Sequence, residues 1–258
     1  MATSLFGDII FGPVKSRRLG SSLGVNLLPV DGKLCNFNCI YCECGWTEHK
    51  GQKLRYNDRD TVRQELEKRL VSMREEGQEL DVITFAGNGE PTMHPCFAEI
   101  IDDTIAVRDR LFPSTKVAVL SNATMIGRED VRHALERVDR AILKIDSALE
   151  ETIKAVNEPL FDYSLDKVIE GMRRFHGELI VQTMFLRGEK DGRIIDNTTD
   201  KEVSAWLDVL DRVRPWLVMI YSIDRDTPHD RLSKVSAQEL SAIAQKVRQR
   251  GYVCEHTV

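Results

Sequence analysis

Three cysteines, Cys35, Cys39 and Cys42, stand at Cys-x3-Cys-x2-Cys spacing in the segment Gly32-Lys33-Leu34-Cys35-Asn36-Phe37-Asn38-Cys39-Ile40-Tyr41-Cys42. A fourth, Cys44, follows closely, whereas Cys96 and Cys254 lie far along the chain. This crowding is too tight for a disulfide framework and suits a metal centre. Thiolates favour soft metals, zinc and iron–sulfur clusters above all. A four-iron cluster normally takes four cysteines, but one held by only three leaves an iron open to another ligand, which is what catalysis at iron requires. Two blander readings compete: a zinc site completed by Cys44, and buried thiols that bind nothing. Zinc knuckles pair two Cys-x2-Cys arms separated by roughly a dozen residues or more, and this sequence has no second arm.

Other elements must hold those thiols in place. Short apolar runs recur at residues 82–85, 117–120, 141–143, 179–181 and 217–220, with 24–27 a weaker first member. They do not alternate strictly, so both faces are expected to be buried, as in a parallel sheet. Between them, apolar residues fall at helical spacing, for example Val62, Leu66, Leu70 and Met73, or Leu165, Val168, Ile169 and Met172. Ser236 and Glu239 form a capping-box pattern at the start of the last such segment.

Strand and helix alternate about six times, which predicts an α/β fold: a partial (β/α)6 barrel of TIM type, with parallel strands inside and helices outside. The barrel is expected over about 22–235, with a C-terminal helix and short strand over 236–258, all in one domain of 258 residues. Chemistry in such folds sits at the carboxyl ends of the strands. Those ends hold Gly87-Asn88-Gly89-Glu90, Ser121-Asn122, Lys144 with Asp146, Gln182, and the polar stretch from Tyr221 to Pro228. Glycines let backbone carbonyls approach a charged ligand closely. Ser121 and Asn122 can hydrogen-bond a ligand or simply form a turn. Lys144 and Asp146, two apart on one side of a strand, can bind a ligand or pair with each other. The stretch after Tyr221 lines a substrate pocket or is a solvated loop.

With 36 basic and 41 acidic residues the formal charge is −5, which gives no general attraction to nucleic acid, though a local basic site stays open. No apolar run approaches the ~20 residues of a membrane span, and the opening residues lack the pattern of a signal peptide. A cytoplasmic protein without a membrane partner is expected.

The cysteine segment, with Tyr41 before the third cysteine, resembles the signature of the radical S-adenosylmethionine (radical SAM) enzymes. The stretch Gly12-Pro13-Val14-Lys15-Ser16-Arg17-Arg18-Leu19-Gly20-Ser21-Ser22-Leu23-Gly24 and the Gly87 to Thr92 run resemble, more narrowly, the subgroup related to the wyosine-base synthases. The resemblance implies that Cys35, Cys39 and Cys42 hold a 4Fe-4S cluster whose remaining iron is chelated by S-adenosylmethionine. Reductive cleavage of that cofactor then yields a 5′-deoxyadenosyl radical that abstracts hydrogen from a substrate.

The resemblance assigns Gly87, Gly89 and Glu90 to the amino acid end of the cofactor and Tyr41 to its adenine. Ser121, Asn122, Lys144 and Asp146 are assigned to its ribose or carboxylate. It also implies an electron donor such as flavodoxin or ferredoxin. The subgroup often carries an Arg where Gln182 stands. Wyosine synthases have further N-terminal cysteines, and none precedes Cys35 here. Wyosine synthesis is therefore not carried over, and the substrate stays open among a nucleobase, a peptide, a metabolite and a glycine of a partner enzyme.

Overall fold

A hairpin, β1 (Ile10–Ser16) and β2 (Gly20–Val25), opens a ten-stranded sheet in the computed structural model, which describes residues 4–47 and 55–257. Along the chain follow α1 (Arg59–Glu75), β3 (Val82–Phe85), α2 (Phe97–Leu111), β4 (Lys116–Ser121), α3 (Glu129–Arg137), β5 (Arg140–Lys144), α4 (Glu150–Asn157) and α5 (Leu165–Arg173). Next come β6 (Ile180–Lys190), β7 (Arg193–Asp196), α6 (Asp200–Val213), β8 (Leu217–Ser222), β9 (Leu232–Lys234), α7 (Ala237–Gln249) and β10 (Cys254–Thr257).

The strand order is β1-β2-β3-β4-β5-β6-β8-β10. Only β1 is antiparallel along that path; every later pairing is parallel. The sheet curls into a half-barrel with helices outside, the α/β partial barrel that the alternating pattern predicts.

Burial explains the curl. Inside it, Val82, Ala118, Ile142, Ile180, Leu217 and Met219 form one apolar floor, with Leu19 and Leu120 packed on it. Outside, the helices bury their predicted stripes, Leu66, Leu70 and Met73 from α1 among them, against Phe85, Phe97 and other core residues. Fully burying each such side chain contributes roughly 1.5–3 kcal/mol. The capping box of α7 is formed, with Ser236 and Glu239 each accepting the other's backbone N–H. Among the described residues, no helix is long and apolar enough to cross a membrane.

Four features depart from the sequence expectations. The sheet starts with β1, whose residues alternate poorly and stay half-exposed. The run expected at 179–181 becomes an eleven-residue strand, because β7 and β9 pair antiparallel with its far half and satisfy its backbone there. The short strand expected within 236–258 is confined to Cys254–Thr257 and pairs in parallel with β8. Finally, α4 was not expected; it places Asn157 beside the cysteines.

The turn between β1 and β2 reaches across the half-barrel to β8 and the residues that follow it. Arg17 pairs with Asp224 at 2.9 Å, and the Arg18 guanidinium lies 4.3 Å from the centre of the Tyr221 ring.

Candidate active site

The cysteine loop follows β2 and is clamped on both flanks. On one side the Leu34 N–H donates to the Asn88 carbonyl at 2.8 Å, and the Glu90 N–H donates to the Leu34 carbonyl at 3.1 Å. The glycine loop must come this close for both bonds to form. A Cβ on Gly89 would sit 1.9 Å from the Leu34 carbonyl oxygen, and the residue adopts φ +142°, which only glycine tolerates well. On the other flank, Asn38 and Ile40 donate to the carbonyls of Glu158 and Val156. Lys33, nearly inaccessible to solvent, donates to the Gly45 carbonyl at 2.7 Å and ties the loop to itself.

So held, Cys35, Cys39 and Cys42 line one cavity of about 170 Å³. Phe37, Tyr41, Gly89, Glu90, Leu120, Ser121, Asn122, Ile142, Lys144, Gln182 and Tyr221 complete its wall. Larger clefts exist, such as one of about 700 Å³ bounded by Asp81, Pro113 and Arg140. That cleft lies at the opposite, amino-terminal ends of the strands and contains no cysteine.

Of the residues that the resemblance assigns to the cluster or the cofactor, all but Gly87 and Asp146 line the cavity; of the stretch from Tyr221 to Pro228, Tyr221 alone is in its wall. Gly87 sits one step back, its carbonyl accepting the Cys44 S–H at 3.3 Å, and a Cβ there would strike Asn26 at 2.5 Å. Asp146 stands behind the wall with a fully buried side chain. One of its oxygens accepts the Met184 N–H at 3.0 Å; the other accepts Asn157 Nδ2 at 2.6 Å and the Tyr41 hydroxyl. Lys144 pairs with Asp146 at 3.3 Å, as their spacing allows, and also reaches Cys39 Sγ at 2.9 Å.

Glu90 is buried beneath the glycine loop. Its oxygens accept Ser121 Oγ at 2.8 Å, the Asn122 N–H at 2.6 Å, and both the N–H and the hydroxyl of Thr92. Burial raises its pKa, and those donors oppose the rise. Asn122 in turn donates to Asn36 at 2.7 Å and lies 3.8 Å from Cys35 Sγ.

The thiols titrate differently. Burial pushes Cys35 up to about 12, whereas Cys42 is drawn below the usual thiol value by the Cys44 thiol beside it and, against burial, by the Lys33 charge. For Lys144, burial works against the ammonium, but Asp146 and Cys39 outweigh it and raise its pKa.

Among the described residues, no three His, Cys, Asp or Glu side chains converge closely enough to hold a single metal ion. Cys35, Cys39 and Cys42 nonetheless reach one cavity, a set of thiolate donors of the type that soft metals and iron–sulfur clusters take. Cys96 packs against the main core and Cys254 lies within it.

A family model described as the Radical SAM superfamily matches residues 30–198, a span that includes the cysteine loop, the glycine loop and β3 to β6. The chain belongs to the radical SAM superfamily. It is 36% identical over 183 residues to the UPF0026 protein MJ1312 of Methanocaldococcus jannaschii, covering 69% of this chain and 54% of that protein. With the UPF0026 protein slr1464 of Synechocystis sp. it shares 30% identity over 228 residues, covering 86% and 78%. The chain thus spans about half the length of the first of these curated relatives.

Two solved radical SAM structures share the fold. Streptococcus suis SuiB bound to its precursor peptide SuiA gives a TM-score of 0.63 at 10% identity, covering 91% of this chain and 48% of that one. Archaeal TYW1, a wyosine synthase, gives 0.52 at 12% identity, covering 88% and 71%.

Sequence reasoning assigns no role to Asn36, Asn157 or Arg18, which contact Asn122, Cys39 and Tyr221, nor to Lys33, whose charge acts on Cys42. Arg18 falls within the Gly12 to Gly24 stretch. Asn157 sits on α4, a helix that the apolar spacing does not reveal.

Proposed function

We propose that this chain is a radical SAM enzyme that holds a 4Fe-4S cluster through Cys35, Cys39 and Cys42 and binds S-adenosylmethionine against the glycine loop and the strand ends. One observation carries the reading: three thiols at the family spacing share a single cavity with Gly89, Glu90, Ser121, Asn122 and Lys144. Bound together, the cluster and cofactor supply reductive cleavage to a 5′-deoxyadenosyl radical that takes a hydrogen atom from the substrate.

This chain's residues position and shield that chemistry. Gly89 brings the glycine loop against the cysteine loop, and Glu90 fixes Ser121 and Asn122 at the end of β4. Asp146 acts one layer back, by holding Tyr41 and Lys144. The apolar floor beneath closes the cavity to water from below. A one-electron donor of the flavodoxin or ferredoxin class supplies the reductant, and the substrate is a nucleobase, peptide, metabolite or partner-enzyme glycine.

Anaerobic reconstitution tests the reading. A brown protein with about four irons per chain that forms 5′-deoxyadenosine when reduced with S-adenosylmethionine supports it. A colourless zinc protein, or a cluster that never cleaves the cofactor, points instead to a binding or sensing module without turnover.

A further inference from the structure

Lys144 carries a buried positive charge to the sulfur of one proposed cluster ligand. Its Nζ lies 2.9 Å from Cys39 Sγ and 3.0 Å from the Tyr41 hydroxyl oxygen, on a side chain only 15% exposed. The head group cannot swing away freely. Asp146 anchors it at 3.3 Å and is itself immobilised by Met184, Asn157 and Tyr41. The rings of Phe37 and Tyr41 flank the ammonium at 5.1 and 5.3 Å, a favourable setting for a cation. Asn157 adds a weaker donor to the same sulfur at 3.6 Å. Among the described residues, the donors to Cys35 are by comparison neutral amides, the Phe37 N–H at 3.4 Å and Asn122 Nδ2 at 3.8 Å.

Hydrogen bonds to cluster sulfurs and nearby charge set an iron–sulfur potential. Taking up one electron makes the cluster more negative, so an N⁺–H donor on a ligand sulfur stabilises the reduced form more than the oxidised form. Low local dielectric amplifies the difference. We propose that Lys144 is a positioning residue whose hydrogen bond to Cys39 raises the reduction potential of the cluster, bringing it within reach of its one-electron donor. This inference rests on the function proposed above. It adds to the assignment of Lys144 to the cofactor's ribose or carboxylate an electrostatic task that is in place before the cofactor arrives.

The test is a potentiometric titration with sodium dithionite, followed by electron paramagnetic resonance, on the reconstituted full chain without S-adenosylmethionine. Wild type is compared with Lys144→Met, Lys144→Gln, Lys144→Arg and Asn157→Leu, each first checked for about four irons per chain. Lys144→Met is expected to lower the midpoint so that, at the wild-type midpoint, the oxidised form exceeds the reduced form about tenfold, about 59 mV for a one-electron couple. Lys144→Gln keeps an N–H donor without the charge and should fall between the two. Lys144→Arg should stay near wild type, and Asn157→Leu should shift the same way by less.

If Lys144→Met assembles no cluster, Lys144→Gln decides by the same criterion. A cluster that titrates at the wild-type potential in the neutral variants overturns this inference and leaves the proposed function standing. A wild type that takes up no cluster overturns both.

Discussion

Ile142, Ile180 and Met219 pack into the apolar floor of the half-barrel, with Ile142 at the base of the cavity, while Lys144, Gln182 and Tyr221, two residues further along the same three strands, form its wall. A strand's side chains repeat on one face every second residue, so each pair shares a direction and differs only in height. In one step of the pleat the interior passes from hydrocarbon to ammonium, amide and phenol.

The lower layer is satisfied by packing alone. The upper layer is not: among the described residues, Gln182 Oε1 and Arg18 Nη1, both near Tyr221, are buried without a hydrogen-bond partner. Leaving a buried polar atom unmet costs about 1–3 kcal/mol, a cost that the packed floor offsets. Under the proposed function, stability and chemistry occupy successive layers of one sheet, and substitutions in the two layers should therefore be read by different assays.

The largest effect belongs to the rim. Cys35→Ala, Cys39→Ala or Cys42→Ala alone is expected to abolish 5′-deoxyadenosine formation and to strip most of the iron, because a cluster missing one of three protein ligands does not assemble stably. The fold itself should persist, since the thiols sit above the apolar floor. Full cofactor cleavage in any one of these variants removes that cysteine from the ligand set.

Next comes the floor. Ile180→Ala deletes a fully buried side chain from the lower layer, and a large-to-small change of this kind costs about 2–5 kcal/mol. Chemical denaturation measures the loss, while iron content per folded chain should remain near wild type. A variant of undiminished stability that lost its iron would invert the division between the layers.

Gly89→Ala probes the seam between the cysteine and glycine loops. The added methyl meets the Leu34 carbonyl, next to Cys35, at 1.9 Å, and φ is +142°. Backbone strain of this type costs on the order of 1–3 kcal/mol. Since the displaced carbonyl belongs to the cluster loop, reconstituted iron should fall together with stability and affinity for S-adenosylmethionine. Unchanged iron with weakened cofactor binding would mean that the loop yields toward the cofactor alone.

The two layers were unequally legible in the sequence. Floor residues belong to apolar runs whose composition survives any reading: 82–85 coincides with β3, and 141–143 lies within β5. Cysteine spacing and the glycine run announced the ligand side because few other structures need those residues at those intervals. Contacts made across the fold were invisible. Arg18 reaches Tyr221 across the curled sheet, between a turn and a strand about 200 residues apart in sequence. Asp146 reads as a ligand contact until its oxygens are seen to be taken by Tyr41, Asn157 and Met184. β1 and β7 escaped because short, half-exposed strands carry little hydrophobic periodicity.

The smallest expected effect is the sharpest test of the contrast between layers. Gln182 stands on β6 two residues beyond Ile180, with Nε2 donating to the Tyr221 hydroxyl at 2.7 Å and Oε1 unpaired. Gln182→Leu replaces the amide by an apolar group of similar size. It gives up one hydrogen bond, worth about 0.5–1.5 kcal/mol, and at the same time removes a buried acceptor whose desolvation was uncompensated by about 1–3 kcal/mol. The two terms nearly cancel, so stability should stay within about 1 kcal/mol of wild type, on the stabilising side. Iron content should also be unchanged, because Gln182 makes no hydrogen bond to the cysteine loop. Denaturation curves for Gln182→Leu and Ile180→Ala, recorded side by side, check this directly. A loss at Gln182 as large as that at Ile180 would show that the amide belongs to the packed structure, and the boundary between floor and rim would then have to be drawn above it.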